Sequence, residues 1–191
     1  MYDDEFELTF DLSDEDKASR APEPEQEPVQ EAAPEPAAET EPPVEPVPEP
    51  AVPAANGRCV LISGGDRGIG AAAARAFWQA GYRVAVLYHT HAEAAAALEK
   101  ALPGLLAVQC DVASRASCEV AFHTVEQAVG HVDVLVSNAG IAQQKLFTDI
   151  TPEEWQHMLD VNLSGAFHLC QLALPGMIRR KAGRILTVSS M

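Results

Sequence analysis

Short, continuously apolar runs alternate with helix-forming segments along residues 58–191, and glycine or proline separates one from the next. A run without polar alternation is typical of a strand that is covered on both faces, as in a parallel sheet. Strands are therefore predicted at 58–63, 82–88, 105–110, 132–137 and 184–189, and helices at 71–80, 91–102, 114–129 and from 151 to about 181. This alternation predicts an α/β fold, a doubly wound parallel sheet between two helical layers.

Local signals mark several of the predicted helix ends. Ser114 is a candidate N-cap, and Thr151-Pro152-Glu153-Glu154 reads as a capping box with proline at the first helical position. Gly81 and Gly130 follow predicted helices, as expected for C-terminal caps. Gly183 is predicted to end the last helix.

Residues 1–57 differ sharply in composition from the rest of the chain. They carry 17 acidic and 2 basic side chains and 11 of the 14 prolines, while residues 58–191 carry 11 of each charge. A segment this rich in proline and glutamate has no apolar face to bury. Residues 1–57 are therefore predicted to be a disordered, extended tail and linker before one folded domain at 58–191. Their negative charge argues against nucleic acid as a partner.

The start of the tail carries one further pattern. Phe6, Leu8, Phe10 and Leu12 alternate with polar residues, a spacing with which residues 1–20 could add a strand to the sheet edge of a protein partner. A solvated acidic end is the alternative interpretation.

Neither a membrane nor a metal ion is expected as a partner. No apolar run is long enough to span a bilayer, and the N-terminus lacks the basic and then apolar layout of a signal peptide. The cysteines and histidines show no metal-ligand spacing, so the four cysteines are interpreted as free thiols of a cytoplasmic protein.

The first predicted strand leads into the glycine-rich segment Ser63-Gly64-Gly65-Asp66-Arg67-Gly68-Ile69-Gly70. Glycines at 64, 68 and 70 allow a sharp turn and close approach of the backbone to a pyrophosphate. The helix that follows offers free N–H groups and its positive dipole end to the same anion. A tight strand–helix turn without a ligand is the alternative.

Further motifs follow this loop in a characteristic order: Asp111-Val112, Asn138-Ala139-Gly140, Val161-Asn162-Leu163-Ser164-Gly165 and Gly183–Ser190. Over residues 58–191 the chain resembles the short-chain dehydrogenase/reductase family, and within it the 3-oxoacyl-acyl carrier protein reductases. The resemblance implies a Rossmann-type domain and NAD(P)-dependent hydride transfer between nicotinamide and a carbonyl or alcohol. It also implies a 3-oxoacyl thioester substrate, as in fatty acid biosynthesis, and a homo-oligomer.

The resemblance assigns a role to each matching position. Asp111 would hydrogen-bond the adenine amino group, with Val112 behind the ring, and Asn138, Ala139 and Gly140 would line the cofactor. Asn162 would disturb its helix locally and hold a water of the proton relay. Ser190 would hydrogen-bond and polarise the substrate carbonyl.

The choice of cofactor is predicted from charge. NAD-specific domains usually place an acid at the end of the second strand, where this chain has Leu87-Tyr88-His89-Thr90. Without that carboxylate a 2′-phosphate is permitted, and Arg67 and His89 could pair with it. NADP(H) is therefore favoured over NAD(H).

The acid–base pair of the family, Tyr-x-x-x-Lys, has no counterpart in the chain. Four residues after Tyr2, Tyr82 and Tyr88 come Phe6, Val86 and Ala92. We therefore expect a C-terminally truncated piece of a reductase, inactive by itself. The alternative is a protein that binds the dinucleotide without catalysis, as a sensor or scaffold.

Overall fold

A single sheet of five parallel strands organises residues 54–189, the part of the chain that the computed structural model describes. The strands are β1 (Cys59–Ser63), β2 (Arg83–Tyr88), β3 (Leu106–Gln109), β4 (Val134–Ser137) and β5 (Arg184–Thr187). The helices are α1 (Gly68–Gln79), α2 (Ala92–Ala101), α3 (Arg115–Val129), α4 (Pro152–Leu159) and α5 (Gly165–Arg180). The predicted α/β fold is confirmed, with most element ends within a few residues of their predicted places.

The order of the strands across the sheet is β3–β2–β1–β4–β5. From β1 the chain builds outwards through β2 and β3, then returns to the other side of β1 to build β4 and β5. In register, Ile62 lies beside Val86 of β2 and Val136 of β4. The reversal of direction between β1 and β4 opens a crevice at the carboxyl ends of these strands, where doubly wound sheets bind their ligands.

Apolar side chains project from both faces of the sheet, as predicted from the continuous apolar runs. Leu61, Leu87 and Leu135 point into a core with α3 and α5, whereas neighbouring residues such as Ile62 and Val86 point into a core with α1 and α2. Because successive side chains of a strand face opposite sides, each of β1 to β4 contributes to both cores, whereas β5 contributes Ile185 to the core with α3 and α5. The central strands are thereby held rigidly, which stabilises the positions of the loops at their ends.

The predicted helical stretch from 151 to about 181 is confirmed in extent, but it is interrupted within and it does not end at Gly183. A π-helical turn, Asp160–Ser164, separates α4 from α5. The end of α5 comes at Arg180 because Lys181 adopts a left-handed conformation with φ of 52°, before Gly183 is reached. Gly183 instead serves packing, since a Cβ there would lie 2.5 Å from the sulfur of Met177.

The described part begins slightly before the predicted boundary between residues 57 and 58. The side-chain amide of Asn56 donates to the carbonyl oxygen of Ala80 at 2.9 Å, and its backbone N–H donates to that of Gly81 at 2.8 Å. These bonds satisfy carbonyl groups just beyond α1, so residues 54–57 pack against the domain. The strand hypothesis for residues 1–20 and the predicted disorder of the tail up to residue 53 lie outside the described residues.

Within residues 54–189, none of the helices is both long enough and apolar enough to cross a membrane.

Candidate functional site

A cleft of about 380 Å³ lies at the carboxyl ends of the strands, beside the reversal between β1 and β4. It brings together segments that are far apart in sequence: the glycine loop and the segments after β2, β3 and β4. The predicted cofactor residues that line it are Gly64, Arg67, Gly68, Ile69, His89, Asp111, Val112, Asn138, Ala139 and Gly140. Gly70, also predicted, lies behind the loop as a packing residue.

The glycine loop is held by backbone conformation and by close packing. Gly64 and Gly68 have φ values of 61° and 53°, which other residues rarely adopt. A Cβ on Gly70 would lie 2.1 Å from the carbonyl oxygen of Gly64, and one on Gly65 would lie 2.6 Å from the Cβ of Val86. The loop therefore lies directly against β2 and α1, and neither Gly65 nor Gly70 has room for a side chain.

The start of α1 faces the cleft as a potential anion site. Its N-cap residue, Arg67, makes no side-chain cap, and its first turn contains no acidic residue. The first N–H groups of a helix have no partners within the helix, and the helix dipole adds partial positive charge there. The approach to this end is open and lined by glycine, and the pyrophosphate cradle expected from the sequence stays a prediction.

A buried serine connects the first and fourth strands beneath the cleft. Ser63 is fully buried, and its hydroxyl oxygen accepts hydrogen bonds from the backbone N–H groups of Asn138 and Ala139, both at 3.0 Å. In return, the side-chain amide of Asn138 donates to the carbonyl oxygens of Ser63 at 3.1 Å and Gly64 at 3.0 Å. Because every one of these bonds joins the two sides of the crevice, they set its width.

Asp111 and Val112 form the wall of the cleft after β3. A carboxylate oxygen of Asp111 accepts from the backbone N–H of Ala113 at 3.0 Å, which fixes the orientation of the side chain. Val112 is buried against Gly165, where a Cβ would lie 2.9 Å from a methyl group of the valine. The wall is thus preformed, and the adenine contacts of Asp111 and Val112 remain predictions.

The buried thiols near this wall have a packing role. The sulfurs of Cys110 and Cys118 lie 3.9 Å apart, and the hydrogen bond with Cys110 together with burial raises the pKa of the Cys118 thiol. Burial likewise raises the pKa of Cys59 in β1 to about 11. Cys59 and Cys118 therefore stay protonated at neutral pH and are not activated nucleophiles.

Asn162 lies in the π-helical turn and clamps the loop after β4. Its side-chain oxygen accepts from the backbone N–H of Ile141 at 2.8 Å, and its amide donates to the carbonyl oxygen of the same residue at 3.0 Å. The same side-chain oxygen would lie 3.1 Å from a Cβ on Gly140. The local disturbance of the helix expected at Asn162 is thus present. The contacts shown are those of a positioning residue, and its part in a proton relay stays a prediction.

Sequence reasoning missed Asp66, whose side chain is only 6% exposed. It lines the cleft beside Arg67, and one of its carboxylate oxygens is buried without a hydrogen-bond partner among the described residues. Nδ1 of His91 lies 3.5 Å from this oxygen. An acidic residue inside a phosphate-binding glycine loop is the signal that could have revealed it. Ser190, predicted to be catalytic, lies outside the described residues.

A parallel α/β sheet with a glycine-rich anion site at its switch point defines the class of dinucleotide-binding proteins with a Rossmann-type fold. The chain belongs to the short chain dehydrogenase family, whose family model matches residues 58–191. This match confirms the resemblance identified from the sequence motifs.

Curated relatives and solved structures agree with this assignment. Acetoacetyl-CoA reductase of Paracoccus denitrificans is 38% identical over 134 residues, which are 70% of this chain and 55% of that protein. The 3-oxoacyl-[acyl-carrier-protein] reductase MabA of Mycobacterium tuberculosis is 38% identical over 141 residues, 74% of this chain and 54% of that protein. A short-chain dehydrogenase structure from Novosphingobium aromaticivorans superposes with a TM-score of 0.66 at 31% identity, covering 71% of this chain and 53% of the other. The chain thus spans about half the length of the relatives it matches.

Proposed function

We propose that the protein carrying this sequence is an NADP(H)-dependent oxidoreductase that reduces a 3-oxoacyl thioester. The observation that carries the proposal is the cleft at the strand switch point, where the glycine loop and the open start of α1 meet the walls after β3 and β4. When bound, the nicotinamide supplies the hydride for the carbonyl carbon. The residues of this chain bind and orient the dinucleotide.

Each segment of the cleft has a task in this proposal. The glycine loop and the first turn of α1 hold the pyrophosphate, because their backbone can approach it closely. Asp111 and Val112 hold the adenine. Asn138, through its bonds to Ser63 and Gly64, keeps the crevice open to the width of the cofactor. Asn162 keeps the loop from Asn138 to Ile141 in place for the nicotinamide half.

The preference for NADP(H) is supported by the charges at the end of β2. No acidic residue follows Tyr88 in this segment, whereas His89 and Arg67 are both exposed at the cleft. A guanidinium group is well suited to pair with a phosphate monoester. NADP(H) is therefore proposed over NAD(H).

The substrate class is taken from the names of the relatives. Acetoacetyl-CoA and a 3-oxoacyl group on acyl carrier protein are both thioesters with a ketone at the third carbon. Two relatives with different carriers share this acyl chemistry. We therefore propose the 3-oxoacyl thioester, and not one particular carrier, as the substrate class.

The experiment that tests this function is NADPH oxidation by the native protein, with acetoacetyl-CoA as substrate and cyclohexanone as a matched non-thioester ketone. We expect turnover of the thioester, with NADPH used at least tenfold more efficiently than NADH. Tight binding of NADPH without oxidation by either ketone would instead favour the sensor or scaffold alternative.

We also propose that the protein forms a homo-oligomer through the outer face of α5. Apolar side chains of α5 are exposed at Phe167, Leu174 and Ile178, a spacing that places them on one side of the helix, and Leu163 is exposed in the π-helical turn before it. Exposed apolar stripes of this kind mark protein interfaces. A second copy of the chain is the proposed occupant, in keeping with the oligomer implied by the family resemblance.

A charged side chain placed among these exposed apolar residues of α5 should dissociate the oligomer. For Ile178→Glu we expect the dimer dissociation constant to rise about a hundredfold, because the carboxylate would be buried in an apolar interface. Light scattering coupled to size-exclusion chromatography measures the change. Val120→Glu on α3 is the matched control, since both side chains are 70% exposed. A monomeric wild type, or an unchanged mass for Ile178→Glu, would contradict this interface.

Two further proposals each rest on a single observation. The four free cysteines agree with a reducing compartment, and we propose the cytoplasm. A protein partner for residues 1–20 remains a proposal based on the alternating pattern of that segment.

A further inference from the structure

One carboxylate oxygen in the cleft is buried and makes no hydrogen bond with the described residues. The side chain of Asp66 is 6% exposed, and its Oδ2 atom has only the longer contact with Nδ1 of His91, at 3.5 Å, among the ion pairs of the described residues. Burying an ionised oxygen without a donor is unfavourable, and native structures rarely leave such a group unsatisfied. A buried acceptor of this kind in a ligand cleft points to a donor on the ligand.

The surroundings of Asp66 indicate which part of the ligand reaches it. Nδ1 of His91 lies 3.5 Å from Oδ2, and Nε2 of the same ring lies 3.4 Å from Nη1 of Arg67. Asp66, Arg67 and His91 thus form a small cluster, together with His89 and Thr90 from the end of β2, at one corner of the cleft. This corner is where dinucleotide-binding sheets hold the ribose next to adenine, and where the 2′ substituent is read.

We propose that Asp66 weakens the preference for NADP(H) by accepting a hydrogen bond from a ribose hydroxyl and by repelling a 2′-phosphate. The glycine loop would then supply the acid that other dinucleotide-binding domains place at the end of the second strand. Arg67 acts in the opposite direction from the next position in the chain. The proposal rests on the proposed dinucleotide-binding function. In it, Asp66 limits the preference for NADP(H) that Arg67 and His89 create.

The chemistry distinguishes the two cofactors clearly. A 2′-hydroxyl can donate to Oδ2 and so satisfy the buried oxygen. A 2′-phosphate offers only acceptors and negative charge when ionised, and two like charges in a low-dielectric cleft repel each other strongly. Nε2 of His91 faces the guanidinium of Arg67, so the ring has only Nδ1 to offer to Oδ2, and Nδ1 also lies 3.4 Å from Oγ1 of Thr90.

The test is the ratio of two dissociation constants, for NADP⁺ and NAD⁺, measured by calorimetry on the whole chain and on Asp66→Asn. The amide keeps the shape of the carboxylate and removes its charge. We expect the affinity for NADP⁺ to rise about tenfold relative to that for NAD⁺. Asp66→Ser, which shortens the side chain, should shift the ratio in the same direction. Arg67→Gln should shift it the opposite way.

Glu93→Gln is the matched control, because Glu93 is an exposed acid in the first turn of α2 and lies outside the lining of the cleft. It removes the same charge from the protein and should leave the ratio unchanged. Equal changes in both affinities for Asp66→Asn would assign Asp66 a merely structural role and overturn the inference. A wild-type chain that binds neither dinucleotide would overturn the proposed function as well, so the two failures are distinguishable.

Discussion

Alanine in place of Gly70 is expected to weaken dinucleotide binding by about a hundredfold and to lower the free energy of unfolding by about 3 kcal/mol. The added Cβ would lie 2.1 Å from the carbonyl oxygen of Gly64 and 2.7 Å from the side-chain nitrogen of Asn138. The obstacle is largely backbone, so the loop itself has to move. The direction of the change in the free energy of unfolding is diagnostic, because at an uncrowded helix position the replacement of glycine by alanine stabilises the protein by about 1 kcal/mol.

Gly68→Ala separates this clash from simple backbone strain. Gly68 has a positive φ of 53°, but nothing lies within 4 Å of a Cβ built on it. Its replacement should cost about 1–2 kcal/mol through conformation alone. Urea unfolding and fluorescence titration with the dinucleotide measure both effects. A Gly70→Ala protein as stable as the wild type would show that the loop does not pack on α1 as described.

Removing the hydroxyl of Ser63 is expected to lower the free energy of unfolding by about 2–4 kcal/mol. In Ser63→Ala the backbone N–H groups of Asn138 and Ala139 both lose their acceptor. Leaving a buried donor unsatisfied costs about 1–3 kcal/mol for each group. Dinucleotide affinity should fall too, because the loop after β4 then keeps only the bonds from the side-chain amide of Asn138 to the carbonyl oxygens of Ser63 and Gly64. Chemical denaturation and the same titration measure the two changes.

Ser137→Ala provides the control for this substitution. Ser137 ends β4 and is also buried, but the N–H groups of Asn138 and Ala139 are bonded to the hydroxyl of Ser63 and not to that of Ser137. Its loss should cost well under 1 kcal/mol, within the range of a mild substitution. If both serine variants lost the same stability, the hydrogen bonds of Ser63 would not be the cause.

Much of the fold could be predicted because it depends on short stretches of sequence. Continuous apolar runs such as Val60-Leu61-Ile62 indicate a strand covered on both faces. The glycine loop was recognisable for a similar reason. Gly64 and Gly68 adopt conformations that favour glycine, so their residue type carries the backbone geometry. The capping box at Thr151 is equally local, and it is present at the start of α4.

The errors occurred where local preference and three-dimensional packing differ. Residues 151–181 favour a helix throughout, and the family resemblance implied a disturbance at Asn162, but not that a π-helical turn brings Asn162 into contact with Ile141. The bonds to that distant loop offset the cost of the irregular turn. Likewise Gly183 looked like a helix terminator, whereas its position beside Met177 gives it a packing role.

The amino-acid sequence alone thus carried the class of fold, the order of its elements, the glycine loop and the family, since each is written in residue types over a few consecutive positions. Three features emerged only once distant segments were brought together: the bonds of Ser63 to the loop after β4, the bonds of Asn162 to Ile141, and the buried oxygen of Asp66 that makes no hydrogen bond with the described residues. Each depends on contact or burial between segments remote in the chain. A pattern along one segment cannot contain that information, because hydrogen-bond partners and solvent exposure are properties of the folded whole.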